Sequence, residues 1–485
     1  MNDRLREPPS SPIDPEAPYG HGLSPMIEGP YAPVFEESVF DRLEIIGEIP
    51  ADLNGVYLRN GPNARHAPQG RYHWFDGDGM LHGAHFDRGR LTYRNKWVRT
   101  DAFRREEEAR RACYWGVMET HKDRPDKPIK DSANTDVIGH AGTAAVSWYL
   151  AGDVYRVHPV TLETLGKAGY TRGIHGAFSA HCKADEITGE LFFFDYWNES
   201  PYMSYGVVGP DGKLRHQVPV QLPGPRLPHD MAITEHYTIL HDMPLFYDEE
   251  ALRAGRHKIA FHSELPARFG VIPRYGAADS IRWFEATPCY IYHVVNAWEE
   301  GDEVVMVGCR YMPPRDASGA IDTHRMAKMI ALLQMDARLY RWRFNMKTGA
   351  TREEMIDPDH NLEFPTYNTA LTGRRTHWAW MMEMRPDIPH FTGVVRHNTD
   401  TGAIERWSDG EGVYYSEAPF GPRDNPRAED DGYVVSFVWN DVLKRSEIQV
   451  FDAREIARGP VMRAIVPQRI PAGFHATWIQ SKNIA

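Results

Sequence analysis

From about residue 35 onward the chain consists mostly of short runs rich in Val, Ile, Tyr, Phe and Trp, each closed by Gly, Pro, Asn or Asp. GVYLRNGPNA stops at Gly61-Pro62, and HGAHFDRGRLTYRNKWVRT alternates about a turn at Asp87-Arg88-Gly89. LFFFDYW (191–197), HYTILHDM (236–243), YIYHVVNAW (290–298), EVVMVGCRYM (303–312), RLYRWRFNM (338–346) and YVVSFVWND (433–441) have the same character. β-Branched and aromatic side chains suit a pleated surface, and the bounding residues supply turns. With 40 glycines and 36 prolines to connect so many strands, the expectation is an all-β fold: an antiparallel sandwich, barrel or propeller.

Helical signals are few. Residues 104–115 read as a charged helix and 324–335 as an apolar one, more simply a buried helix than a membrane contact. Residues 1–34, rich in Pro, Ser, Gly and Glu, read as an N-terminal extended arm. No linker divides 35–485, which is taken as one domain, and no fixed repeat period is visible.

Charge and composition exclude several classes. A balance of 55 Lys and Arg against 67 Asp and Glu, net −12, lacks the basic footprint of a nucleic-acid protein. No apolar run reaches the ~18 residues of a spanning helix. The N-terminus MNDRLREPPSSPIDPEAPYG has no apolar signal core. The reading is a soluble cytoplasmic protein, with peripheral membrane contact left open. The four cysteines, Cys113, Cys182, Cys289 and Cys309, form no C-x-x-C pair and so no thiolate zinc site. Against them stand 23 histidines. A metal in this chain would be held by imidazole.

Familiar motifs are absent or fail. Asp76-Gly-Asp-Gly79 with Gly83 is one residue too long for a dinucleotide fingerprint, and it lies between strands. No G-x-S-x-G, Walker A or H-E-x-x-H occurs. Four histidines stand in distinctive contexts: His181 in Phe178-Ser-Ala-His-Cys-Lys183, His229 in Leu227-Pro-His-Asp230, His293 in Tyr290-Ile-Tyr-His293 and His475 in Gly473-Phe-His475. Taken singly each has a bland reading: His293 a packed core residue, His229 a turn residue. Only a closed, radial architecture would bring four such remote segments to one axis simply. Imidazole suits iron, copper, zinc or nickel.

Together these contexts resemble the carotenoid cleavage oxygenase family, which includes apocarotenoid-cleaving enzymes, lignostilbene dioxygenases and isoeugenol monooxygenases. The resemblance spans about 35–480. It is carried also by Arg59-Asn-Gly-Pro-Asn63, Trp74-Phe-Asp-Gly-Asp-Gly-Met80, Ala133-Asn-Thr135, His293-Val-Val-Asn-Ala-Trp298, Glu363-Phe-Pro365 and Glu429-Asp-Asp-Gly432. It implies a seven-bladed β-propeller with a loop and helix dome over the metal face. It implies Fe(II) held by His181, His229, His293 and His475, with Glu363 behind His293 and Glu417 behind His475. Thr135 matches a threonine near an open iron position. Phe75 and Trp148 are expected to line the substrate region.

One departure stands out. Relatives carry Lys-Glu in a segment like A-L-K-E-G-G, where the Glu supports the second histidine. Here the segment is Val146-Ser-Trp-Tyr-Leu-Ala-Gly-Asp153, with neither residue. The expectation is that Tyr149 or Asp153 accepts the ring N–H of His229. The implied partners are O2 and a hydrophobic conjugated alkene, cleaved to two carbonyl products. A phenylpropanoid or stilbene-type aromatic alkene leads, and an apocarotenoid is the alternative. A catalytically inactive propeller that binds partners, and a zinc hydrolase, are the competing readings of other classes.

Overall fold

The connection between Asp87 and Arg90 shows how the strands are joined. Arg88 and Gly89 take positive φ, 47° and 76°. A two-residue turn of that kind has the twist its flanking strands need. Gly79–Asp87 and Arg90–Trp97 therefore pair with Asp87 opposite Arg90. In the computed structural model, which describes residues 25–485 apart from 69–71, 118–128, 151, 171–177, 198, 248–249, 251–258 and 323–332, such hairpins build a seven-bladed antiparallel propeller.

The first blade runs Ala476–Gln480, Gly55–Pro62, Gly79–Asp87, Arg90–Trp97 and Val39–Phe40. The second begins with Asp136–His140, the third with Lys183–Asp185, the fourth with Ala232–Ile233 and the fifth with Tyr290–Glu300. The sixth begins with Leu362–Thr366. The seventh is built on Gly432–Asn440, flanked by Phe420–Pro422 and Val413–Tyr415 on one side and Arg445–Asp452 on the other. The sixth and seventh blades meet at one pair, Phe391 with Tyr415, so they form one continuous sheet. The first strands of neighbouring blades touch one another, as Ala476–Gln480 touches Asp136–His140 and Phe420–Pro422, so these strands line the axis.

The ring is closed by both chain ends. Glu44–Gly47 pairs with Met462–Val466 at the outer edge of the seventh blade. Ala476–Gln480 pairs with Gly55–Pro62 at the inner edge of the first. Aromatic side chains fill the space between blades. Trp380 of the sixth, fully buried, stacks on Phe420 of the seventh at 4.7 Å. The repeat is invisible in the sequence because the inner strands start at unequal intervals, at Asp136, Lys183, Ala232, Tyr290 and Leu362.

The expected strands are present, within three residues of their anticipated ends. The helix expected over 104–115 is corrected to Asp101–Ala109. Thr100 caps it, its Oγ1 accepting from Phe103 N at 2.9 Å, and left-handed Arg110 (φ 52°) ends it. The helix expected over 324–335 lies mostly outside the described residues, as do residues 1–24 of the expected arm. From Pro25 the chain packs onto the fold. Met26, Ile27 and Tyr31 are buried, and Tyr31 meets Trp74 edge-on at 5.2 Å. Among the described residues no helix is long and apolar enough to cross a membrane.

Candidate metal centre

Each blade sends one of the residues singled out above to the axis, at or just before its inner strand. His475 precedes Ala476–Gln480 in the first blade and Thr135 precedes Asp136–His140 in the second. His181 lies before Lys183–Asp185 in the third, and His229 before Ala232–Ile233 in the fourth. His293 is within Tyr290–Glu300, Glu363 within Leu362–Thr366, and Glu417 just before Phe420–Pro422.

Ligand nitrogens of His181, His293 and His475 lie within 4.8 Å of one another. His229 completes the group, its ring centroid 4.6 Å from His181 and 5.1 Å from His293. All four rings are buried. The Nε2 atoms of His181 and His293 are buried without a hydrogen-bond partner. Buried polar atoms are normally satisfied, so orphaned nitrogens converging on one point fit a bound metal. Burial and the neighbouring imidazoles hold His181, His229 and His293 well below the usual histidine range, in the neutral form a metal requires. Burial pulls His475 the same way, but the Glu417 carboxylate outweighs it and raises that ring.

Local backbone irregularities aim these side chains. The pairing of Tyr290–Glu300 slips between Ile291 and Asn296, which frees His293 from regular alternation. His181 takes a left-handed φ of 66°, held by its N–H donating to Asp136 Oδ2 at 2.9 Å. Arg59-Asn-Gly-Pro-Asn63 explains the aim of His475. Asn60 N donates to His475 O at 2.8 Å, and Phe474 N to Asn60 O at 2.9 Å. Gly61 packs backbone to backbone on Gly473, where a Cβ would come within 2.8 Å of the Gly473 Cα. The buried Arg59 guanidinium donates to Pro471 O and Ser416 Oγ beneath the same loop.

Behind the rings lie two buried carboxylates. Glu363 Oε2 pairs with His293 Nδ1 and accepts from Phe364 N at 2.7 Å, while Oε1 accepts from Tyr311 Oη at 2.7 Å. Burial pushes its carboxyl up to about 8. Glu417 Oε1 lies 3.3 Å from His475 Nδ1, and Oε2 accepts from Ala476 N.

His229 has a different support, and here the expectation is corrected. Its Nδ1 is buried with no hydrogen-bond partner, so neither Tyr149 nor Asp153 accepts from it. Asp153 is turned outward and pairs with Lys167 Nζ at 2.6 Å. Tyr149 instead lays its ring against the imidazole, centroids 4.5 Å apart, and Tyr292 meets it edge-on at 4.7 Å. Its backbone fixes the ring there: Tyr149 N donates to Thr135 Oγ1 at 3.1 Å, and Tyr149 O accepts from Tyr196 Oη at 2.8 Å.

Thr135 Oγ1 donates to Asn134 Oδ1 at 3.0 Å and accepts from Tyr149 N at 3.1 Å, which ties the second blade to the ring under His229. Phe75 packs on Tyr149 at 4.9 Å, and its carbonyl accepts from Trp148 Nε1 at 3.1 Å. Both are buried beside the centre. Sequence reasoning missed Asp136, Tyr311 and the pair Lys183–Asp230 (2.7 Å). Asp136 follows Thr135, Asp230 follows His229 and Lys183 follows His181 by two, so proximity in sequence was the available signal for three of them.

Comparison with known proteins follows the same outline. The family model described as retinal pigment epithelial membrane protein (RPE65) matches residues 31–480. The carotenoid 9,10(9',10')-cleavage dioxygenase of Crocus sativus is 34% identical, covering 94% of this chain and 89% of its own. The isoeugenol monooxygenase of Pseudomonas nitroreducens is 29% identical, covering 94% and 98%. The crystal structure of Pseudomonas brassicacearum lignostilbene dioxygenase superposes with a TM-score of 0.84 at 28% identity, covering 94% of this chain and 99% of that one. The chain belongs to the RPE65/carotenoid cleavage oxygenase family, and it is an oxygenase.

Proposed function

We propose that the protein is an Fe(II)-dependent oxygenase that cleaves a conjugated C=C bond with O2 to give two carbonyl products. The observation that carries this is the convergence of the ligand nitrogens of buried His181, His293 and His475 within 4.8 Å, the Nε2 atoms of His181 and His293 without partners, and the ring of His229 beside them at 4.6 Å from His181. His181, His229, His293 and His475 would hold the ion. The donor set contains no thiolate, and the carboxylates of Glu363 and Glu417 stand behind imidazoles, which suits a redox-active divalent metal with room for small molecules. When bound, iron supplies the electrons by which O2 is made reactive toward a closed-shell alkene. The chain's own part is to fix the rings through Glu363 and Glu417, to keep bulk water out, and to restrict approach beside Thr135. No side chain acts as nucleophile.

The substrate is a phenylpropanoid or stilbene-type aromatic alkene. Supporting this is a cluster of aromatic hydroxyl side chains around His229, formed by Tyr149, Tyr196, Tyr290 and Tyr292, together with the lignostilbene dioxygenase likeness. A second reading, an apocarotenoid, is favoured by the higher identity to the Crocus enzyme. Incubating iron-loaded protein with isoeugenol, a hydroxystilbene and an apocarotenal in air, with aldehyde products identified by mass spectrometry, separates them. Aldehydes from the apocarotenal alone would overturn the aromatic assignment, and absence of iron binding would overturn the whole reading.

A further inference from the structure

Two adjoining cavities connect the surface with the histidines. The outer, about 480 Å³, is rimmed by exposed Ala141, Glu186, Lys482 and Asn483. The inner, about 130 Å³, reaches His181, His293 and His475. They share walls at Ile138, Lys183, Tyr367, Thr369, Thr477 and Trp478. Of these shared residues Lys183 alone is charged. Its Nζ lies 2.7 Å from Asp230 Oδ1, and Asp230 Oδ2 accepts from Val294 N at 2.7 Å, next to His293. Asp136 and Glu417 add two more carboxylates to the inner wall.

Apolar Val137, Val294, Phe420 and Trp478 complete the inner wall, but an apolar alkene there would strip water from three carboxylates and an ammonium without replacing its hydrogen bonds. The lining suits a hydrated cation, which can exchange water for carboxylate oxygen stepwise. We propose that these cavities form the route by which the divalent metal ion reaches the four histidines, with Lys183 as its gate. The inference rests on the metal reading above. With Lys183 on Asp230 the neck is closed to cations by charge. When its four-carbon stem swings into the outer cavity, Asp230, Asp136 and Glu417 offer oxygens to an incoming ion until imidazole nitrogens take it.

The test is metal exchange, not turnover. Protein stripped with a chelator is mixed anaerobically with Fe(II) or Co(II), and uptake and release are timed with a chromogenic chelator. Thr369→Trp, on the shared wall, should slow uptake and release alike by about tenfold while stoichiometry and Kd stay unchanged, because a narrowed path raises the barrier and leaves both end states alone. Lys183→Met should speed both. Circular dichroism and thermal melting establish that each variant is folded. A folded Thr369→Trp protein that exchanges metal at the wild-type rate in both directions would overturn the proposal. A wild-type protein that takes up no metal would instead overturn the metal reading itself.

Discussion

The Nδ1 of His293 is hydrogen-bonded to Oε2 of Glu363, and both side chains are buried. That same oxygen accepts from Phe364 N, while Tyr311 serves the other oxygen. Every donor around the carboxyl group points at an acceptor. An amide removes the negative charge that strengthens the bond to His293 Nδ1, and with its NH2 group turned to that side it would face two donors. Glu363→Gln should therefore weaken metal binding by about 10–100-fold, measured by Co(II) titration of the apo-protein. Wild-type affinity in a folded variant would contradict a role in orienting His293.

Tyr149 holds His229 by packing, with no hydrogen bond to it. The ring should matter and the hydroxyl should not. Tyr149→Phe is expected to keep metal affinity within about twofold, and Tyr149→Ala to lose it by about tenfold or more. A large loss in Tyr149→Phe would show that the hydroxyl, not the face of the ring, positions the imidazole.

Gly61 and Gly473 are in backbone contact beneath His475. Gly61→Ala must push the two segments apart, at a cost of about 1–3 kcal/mol in stability. Urea denaturation measures that cost. The same shift moves His475, so metal affinity should fall in the folded variant, and an unaltered Kd would separate this contact from the site.

One carboxyl group, Asp131, should contribute stability that is lost between about pH 4 and pH 6. Burial raises Asp131 from 3.8 to about 6, although Asp153 N donates to its Oδ2 at 2.7 Å, and its Oδ1 is buried without a partner. Below 3.8 both folded and unfolded chains carry the proton. Between 3.8 and 6 only the folded one keeps it, so unfolding releases a proton and stability declines as pH rises. The decline, complete above 6, amounts to about 1–3 kcal/mol. The unfolding free energy of the wild type minus that of Asp131→Asn should decline by this amount across the window, and a constant difference would contradict the assignment.

Much of the secondary structure was legible locally. Tyr290–Glu300, Glu303–Tyr311 and Gly432–Asn440 stand where their β-branched and aromatic runs placed them. Hairpin register followed from turn chemistry, as at Arg88-Gly89. The helix starts ahead of its charged run because the Thr100 side chain caps it.

By itself the sequence determined that the chain would be all-β, that imidazole and not thiolate was available for a metal, and which contexts mark His181, His229, His293 and His475. These depend on composition and on neighbours a few residues apart. From the residues alone a sandwich, a barrel and a propeller all remained open, and only resemblance pointed to seven blades. Tertiary structure decided the closure by both chain ends, the one residue that each blade brings to the axis, the aromatic support of His229, and the Lys183–Asp230 pair between two adjoining cavities. Those relations join segments separated by tens to hundreds of residues. No local preference encodes them, because they exist only once the ring of blades has closed around its axis.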